Sequence, residues 1–118
     1  MPPALLPRLR RLCLDLPEAV EVETWDTPTF RVCGRIFVLV RSDEHGLGFW
    51  CKAPSGSQEI LLAADPARFF RPPYLGHKGW VGMRLHGHVD WQEAAAMLRR
   101  SYVLIAPKRL AAHVQPGS

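Results

Sequence analysis

WDTPTFRVCGRIFVLVR, residues 25–41, decides the fold. Thr29 to Cys33 alternates as a strand does, Gly34 supplies the positive φ of a tight reversal, and Arg35 to Arg41 returns as a second strand, so the segment reads as a β-hairpin. Asp26, Thr27 and Pro28 have the composition of the turn leading into it. On the N-terminal side, Val20 and Val22 point one way while Glu21, Glu23 and Trp25 point the other, the pattern of a half-buried strand. On the C-terminal side, Ser42 to Gly46 is a polar loop and Leu47 to Lys52 a further strand. Four consecutive strands so connected form an antiparallel meander.

Outside the meander the period lengthens. Leu5, Leu9, Leu12 and Leu16 share one helical face, which predicts a first helix over about 3–15, opened by Pro2 and Pro3 and stopped by Pro17. Ser55 or Ser57 caps a short helix near Gln58 to Ala64. Arg71 to His77 is a proline-rich loop, and Trp80 to Leu85 resumes alternation as a fifth strand. Asp90 and Glu93 form a capping box for a last helix, whose Trp91, Ala94 or Ala95, Leu98, Tyr102 and Ile105 line one face before Pro107. The expectation is an α+β single domain over 1–118: an antiparallel five-stranded sheet backed by N- and C-terminal helices, in the order helix, four-strand meander, helix, strand, helix.

At 118 residues, with 47% apolar and 22% charged side chains, the chain has the composition of a globular domain with its own core. The longest apolar run, Ile36 to Val40, is strand-sized, so no membrane span is expected. Arg8, Arg10 and Arg11 are followed by no uninterrupted apolar stretch, so a secretory signal is not expected and the cytoplasm is the expected compartment. Cys13, Cys33 and Cys51 have none of the paired spacing of a zinc or redox motif and read as free thiols. Net charge is +4, carried unevenly: residues 1–59 hold seven Lys or Arg against eight Asp or Glu, residues 60–118 eight against three. A basic second half steers polyanions if its charges converge in space.

Alternation groups Arg31, Arg35 and Arg41 on one side of the hairpin, with Trp50 and Lys52 beside them on the next strand. Cations interleaved with an aromatic suit phosphates and exposed bases. Lys78, Arg84, Arg99 and Arg100 are a second basic set that would extend this surface. Against these stands the plain reading that arginines solvate the exposed face of a one-sided sheet. Glu21 and Glu23 on one strand face make an acidic ridge of the kind hard cations use, and a solvated strand edge explains them equally. His86 and His88 would share a face if both lay in a strand, yet no third ligand is fixed by spacing and Asp90 is taken as a cap, so no metal and no cofactor is expected. No GxSxG, P-loop or GxGxxG occurs, and no motif supports an enzyme.

In order and spacing these residues resemble the MmcQ/YjbR family of small bacterial proteins. The likeness rests on CLDLPE (13–18), ETWDTPTFRVCGRIF (23–37), the strand ending at Lys52, the Pro/Tyr loop before Trp80, and Ser101-Tyr102, and it spans nearly the whole chain. Asp26 stands where the family often has glycine, and Arg35 where it often has lysine. The resemblance implies an α+β fold similar to frataxin-like domains and a DNA-binding label. The leading expectation is a non-enzymatic DNA-binding or DNA-associated module in which Arg31, Arg35, Arg41 and Lys52 contact phosphate and Trp50 stacks. The alternative is a protein- or metal-interaction module using the acidic strand or the Arg71 to Trp80 loop. A third reading is a small enzyme with a sheet–helix cleft near Trp25 and Trp80.

Overall fold

A computed structural model describes residues 5–44 and 46–114. Helix α1 (Leu5–Leu14) leads into strands β1 (Val20–Thr24), β2 (Thr27–Val32), β3 (Arg35–Asp43) and β4 (Gly46–Lys52). Helix α2 (Ser57–Ala64), strand β5 (Phe69–Phe70), a 3₁₀ turn (Gly76–Lys78), strand β6 (Trp80–Arg84), helix α3 (Trp91–Ile105) and helix α4 (Lys108–Ala111) complete the order. The strands form one antiparallel sheet, β1-β2-β3-β4-β6-β5.

Two reversals of two residues each build the first hairpins. Trp25 and Asp26 have φ of 53° and 60°, Cys33 and Gly34 of 50° and 81°, so both carry the paired positive φ of a type I′ turn, whose twist matches that of the flanking strands. The first turn is therefore Trp25-Asp26 and not Asp26 to Pro28; Thr27 and Pro28 already belong to β2, opposite Thr24 and Glu23. Cys33 lies in a turn, not in a strand.

Helices α1 and α3 cover one face of the sheet. Phe30, Val32, Val38, Val40, Phe49 and Met83 point into that layer beside Leu9, Leu98 and Tyr102, and each such side chain removed from water contributes roughly 1.5–3 kcal/mol. Along α3 the buried positions Ala94, Met97, Leu98, Ser101 and Tyr102 follow the helical period. Tyr102 also ties the helix to the α1–β1 connection: its hydroxyl donates to the Pro17 carbonyl at 2.6 Å, and its ring meets Phe37 edge-on, with centroids 5.3 Å apart.

A β-bulge lies in the middle of the meander. Phe30 pairs with Val38 and Arg31 with Ile36, which leaves Phe37 as an extra residue in β3. Phe37 and Val38 are thus both buried on the helix side, while Ile36 and Leu39, three positions apart, both belong to the cluster on the other face.

Several expectations change. The sheet has six strands rather than five, because Phe69–Phe70 pairs with Met83 and Gly82; two residues are too few to show a period. The first helix is described from Leu5 and ends at Leu14, and the expected start at Pro3 lies outside the described residues. The residue before α2 is Gly56, at φ 85° with no side-chain cap, rather than a serine. Asp90 does cap α3 through the Glu93 amide at 3.1 Å. The reciprocal half of the box is replaced, since the Glu93 carboxylate takes Arg68 at 2.8 Å. After Pro107 the chain makes one more helical turn, α4. Strand β1 is an exposed edge rather than half-buried, with Val20 52% accessible.

The open face of the sheet as candidate ligand site

Register gives the uncovered face its order. Arg41, Gly48 and Arg84 align across β3, β4 and β6. The next row holds Leu39, Trp50, Gly82 and Phe70, and a third pairs Lys52 with Trp80. Strand spacing sets the two arginine backbones roughly 10 Å apart, with a glycine between them. Each arginine leans on an aromatic of the second row: Arg41 Cζ is 5.4 Å from the Trp50 ring centroid, and Arg84 Cζ is 4.6 Å from that of Phe70. Both lie within cation–π range. Glycine at 82 makes room for this, because a Cβ there would lie 2.2 Å from the Phe70 ring.

Walls rise on both sides of this floor. Trp25, in the β1–β2 turn, is 70% accessible, and Tyr74, in the loop before the 3₁₀ turn, is 84% accessible. Both are aromatic residues at positive φ, 53° and 67°, a conformation that is uncommon without glycine and is found where surrounding structure enforces it. The loop that carries Tyr74 and Leu75 is pinned from α2, where the buried Gln58 amide donates to the Gly76 carbonyl at 2.8 Å and to that of Trp80 at 2.6 Å.

Between the walls lies an apolar groove of about 500 Å³, floored by Leu39, Trp50 and Trp80, walled by Trp25, Tyr74 and Leu75, and edged by Arg41. A second cleft of about 350 Å³ shares Arg41, Trp50 and Tyr74 with it and adds Arg84, Phe70 and the Asp43 and Gly46 end of the β3–β4 hairpin. A third, polar cleft of about 430 Å³ lies across the loop, lined by Lys52, Arg71, His77 and Lys78 together with Glu59.

The basic residues singled out from the sequence divide among these places. Arg41, Trp50 and Arg84 come together. Arg31 is on the same face but further toward the β1 edge, its guanidinium donating to the Thr24 hydroxyl at 2.9 Å. Arg35 leaves the group: the bulge puts it opposite Val32, one of the helix-side residues, at the exposed end of the hairpin. Lys52 joins Lys78 in the polar cleft. Arg99 and Arg100 are exposed on α3, behind the sheet. Trp25, Phe70 and Tyr74 are not among the residues expected to bind nucleic acid, although Tyr74 lies in the Arg71 to Trp80 loop expected to dock a partner and Trp25 beside the cleft of the enzyme reading. Trp25 and Trp80 do line one cavity, on the open face rather than in a sheet–helix cleft.

The other constellations resolve differently. Glu21, opposite Phe30, faces the helix side and is held by the Arg10 fork at 2.6 and 3.0 Å; this pairing raises the Arg10 pKa. His86 and His88 lie beyond the end of β6, not in it, with Gly87 at φ 66° between them. Among the described residues, no group of three or more His, Cys, Asp or Glu is placed to hold a metal ion, and no helix is long and apolar enough to cross a membrane.

A family model described as YjbR matches residues 14–104, a span that contains every groove residue named above. Among solved structures, the crystal structure of the Deinococcus radiodurans protein DR2400, with the family-model domain DUF419, is similar at TM-score 0.78 and 26% identity, over 96% of this chain and 94% of that one. No curated protein matches the chain.

Proposed function

The chain belongs to the YjbR family, and from that premise we propose that it is a non-enzymatic, DNA-associated module whose open sheet face takes unpaired bases and their phosphates. The observation that carries this reading is the ordered row of arginines on aromatics, Arg41 over Trp50 and Arg84 over Phe70, beside an apolar groove. Trp50 and Trp80 are only 7% accessible, so the exposed aromatics of the groove are Trp25 and Tyr74; stacking of a base on an exposed aromatic is worth roughly 1–3 kcal/mol and tolerates any base. Guanidinium forks bind phosphate with two parallel hydrogen bonds. In a duplex the bases stack on one another and offer no free ring to such a groove, so single strands are favoured over duplex.

Three of the four tryptophans, Trp25, Trp50 and Trp80, line the groove, so intrinsic fluorescence reports on it. Oligothymidine is expected to quench that fluorescence more strongly than duplex of equal length. Affinity should fall with rising salt, with a shallower slope in the Arg41→Ala/Arg84→Ala variant. Salt-insensitive quenching, or none at micromolar protein in low salt, removes the reading.

A second reading rests on Tyr74. An almost fully exposed tyrosine on a pinned loop is also a docking feature for another protein. It is favoured if Tyr74→Ala abolishes capture of a partner that the double arginine variant still captures.

A further inference from the structure

The two cavities of the open face adjoin, share three lining residues and differ in kind. We infer that together they form a site for one nucleotide unit, with the base in the apolar groove and the phosphate between Arg41 and Arg84. This rests on the reading that the face binds nucleic acid, and it narrows that reading from a surface to a pocket.

Shape and lining choose the base lobe. Its volume falls within the roughly 300–1,000 Å³ of small-ligand sites, and its floor and walls are aromatic or aliphatic: Trp50, Trp80 and Leu39 below, Trp25 and Tyr74 at the sides. Flat apolar surfaces with few hydrogen-bonding groups select a planar ring and read little of its edge. Base identity should therefore matter less than the presence of a base. Trp25 and Tyr74, at positive φ of 53° and 67°, both line this lobe.

Charge chooses the phosphate lobe. Arg41 and Arg84 flank the buried Gly48, where a Cβ would meet the Met83 carbonyl at 2.8 Å, and all three line the 350 Å³ cleft. Both guanidinium groups line this cleft; Arg84 gives Nη1 to the Ala67 carbonyl at 3.3 Å and has its Nε buried, so it offers charge and only part of its fork, while Arg41 adds a second cation for a doubly charged phosphate. Asp43 lines the same cleft at the hairpin end, and its carboxylate opposes the phosphate that the two arginines attract. A free nucleoside monophosphate and a nucleotide within a single strand carry the same chemistry, and the test separates them.

Wild-type protein is titrated calorimetrically with thymidine 5′-monophosphate, thymidine and inorganic phosphate, and each is used to compete against fluorescein-labelled oligothymidine. The monophosphate is expected to bind and to displace the strand at least about tenfold better than thymidine or phosphate alone, since only it fills both lobes. Arg41→Ala should erase its advantage over thymidine; Trp25→Ala should erase its advantage over phosphate. Circular dichroism checks that each variant is folded. If the strand binds and the monophosphate neither binds nor competes, the inference fails and the broader reading stands. If the monophosphate binds and the strand does not, the nucleotide site stands and the strand reading fails. If neither binds, both fall. A monophosphate no better than inorganic phosphate also overturns the inference.

Discussion

Ser101 on α3 donates its hydroxyl hydrogen to the main-chain carbonyl of Phe37 at 2.6 Å. The Ser101 Oγ in turn accepts the Lys52 amide at 2.9 Å. Phe37 is the residue bulged from the β2–β3 ladder, and Val38–Cys51 is the last pair of the β3–β4 ladder, so one side chain from the helix layer bridges the β3 and β4 backbones just beyond the end of that ladder. Leaving a buried backbone group without a partner costs about 1–3 kcal/mol. Ser101→Ala is therefore expected to destabilise the protein by about 2 kcal/mol or more, seen as a lower urea midpoint at unchanged slope. A change below about 0.5 kcal/mol would mean that the strands alone hold the bulge.

Gly82 and Phe70 make a second coupled pair. Gly82→Ala pushes a methyl into the Phe70 ring, an overpacking worth about 1–3 kcal/mol. It should also unseat Arg84 and weaken ligand binding. Adding Phe70→Ala to Gly82→Ala should recover part of the stability and none of the binding, a non-additivity that a double-mutant cycle measures. Additive losses would show that the two positions do not communicate.

Trp25 at φ 53° is expected to trade stability for function. Trp25→Asn puts a residue suited to a type I′ turn in its place, and should raise stability by about 1 kcal/mol while lowering affinity for oligothymidine. If the variant is less stable, the tryptophan contributes to folding and the wall reading weakens.

The thiols give a prediction in pH. Burial pushes Cys51 up to about 12, with Arg100 opposing slightly, and burial raises Cys13 as well. In the unfolded chain a thiol ionises near its ordinary value, so below about pH 8.5 both states hold the proton and stability is flat. Above that, the unfolded state loses protons that the native state keeps. Stability should then fall by up to about 1.4 kcal/mol per pH unit per thiol. Cys51→Ala should flatten this slope between pH 9 and 10 whatever its effect at neutral pH. In native protein a thiol reagent should label exposed Cys33 quickly and the buried Cys13 and Cys51 only on unfolding.

The meander and the two main helices were legible because their periods differ, two against roughly three and a half. The bulge was hidden by its own composition. IFVLV, residues 36–40, is apolar at every position, as a strand covered on both faces is, so no break in alternation marks the extra residue. That one residue moves Arg35 off the face where strict alternation puts it. The Trp25-Asp26 turn was hidden because tryptophan is not a turn former and Pro28 drew attention downstream. Arg41 and Trp50 could be paired from neighbouring strands, whereas Arg84 on Phe70 depends on β5 meeting β6, a contact no local pattern announces. Tyr74 sits in a loop with no period to read. The architecture was thus more visible than the groove, because the groove is assembled by pairing and by loops.

Gln58 reads only main-chain oxygens, those of Gly76 and Trp80. A clamp of that kind is indifferent to the side chains of the loop it holds. In the segment from Arg71 to Lys78 the buried Pro72 and Gly76 and the packed Leu75 are fixed, but exposed positions such as Pro73, Tyr74 and His77 are in effect interchangeable: they are free to diverge, and with them the chemistry of the groove wall, while the anchorage to α2 and the sheet beneath stay the same. Relatives that keep a glutamine at this position are expected to vary their ligands by editing this loop, and those that lose it to have rebuilt the wall by other means.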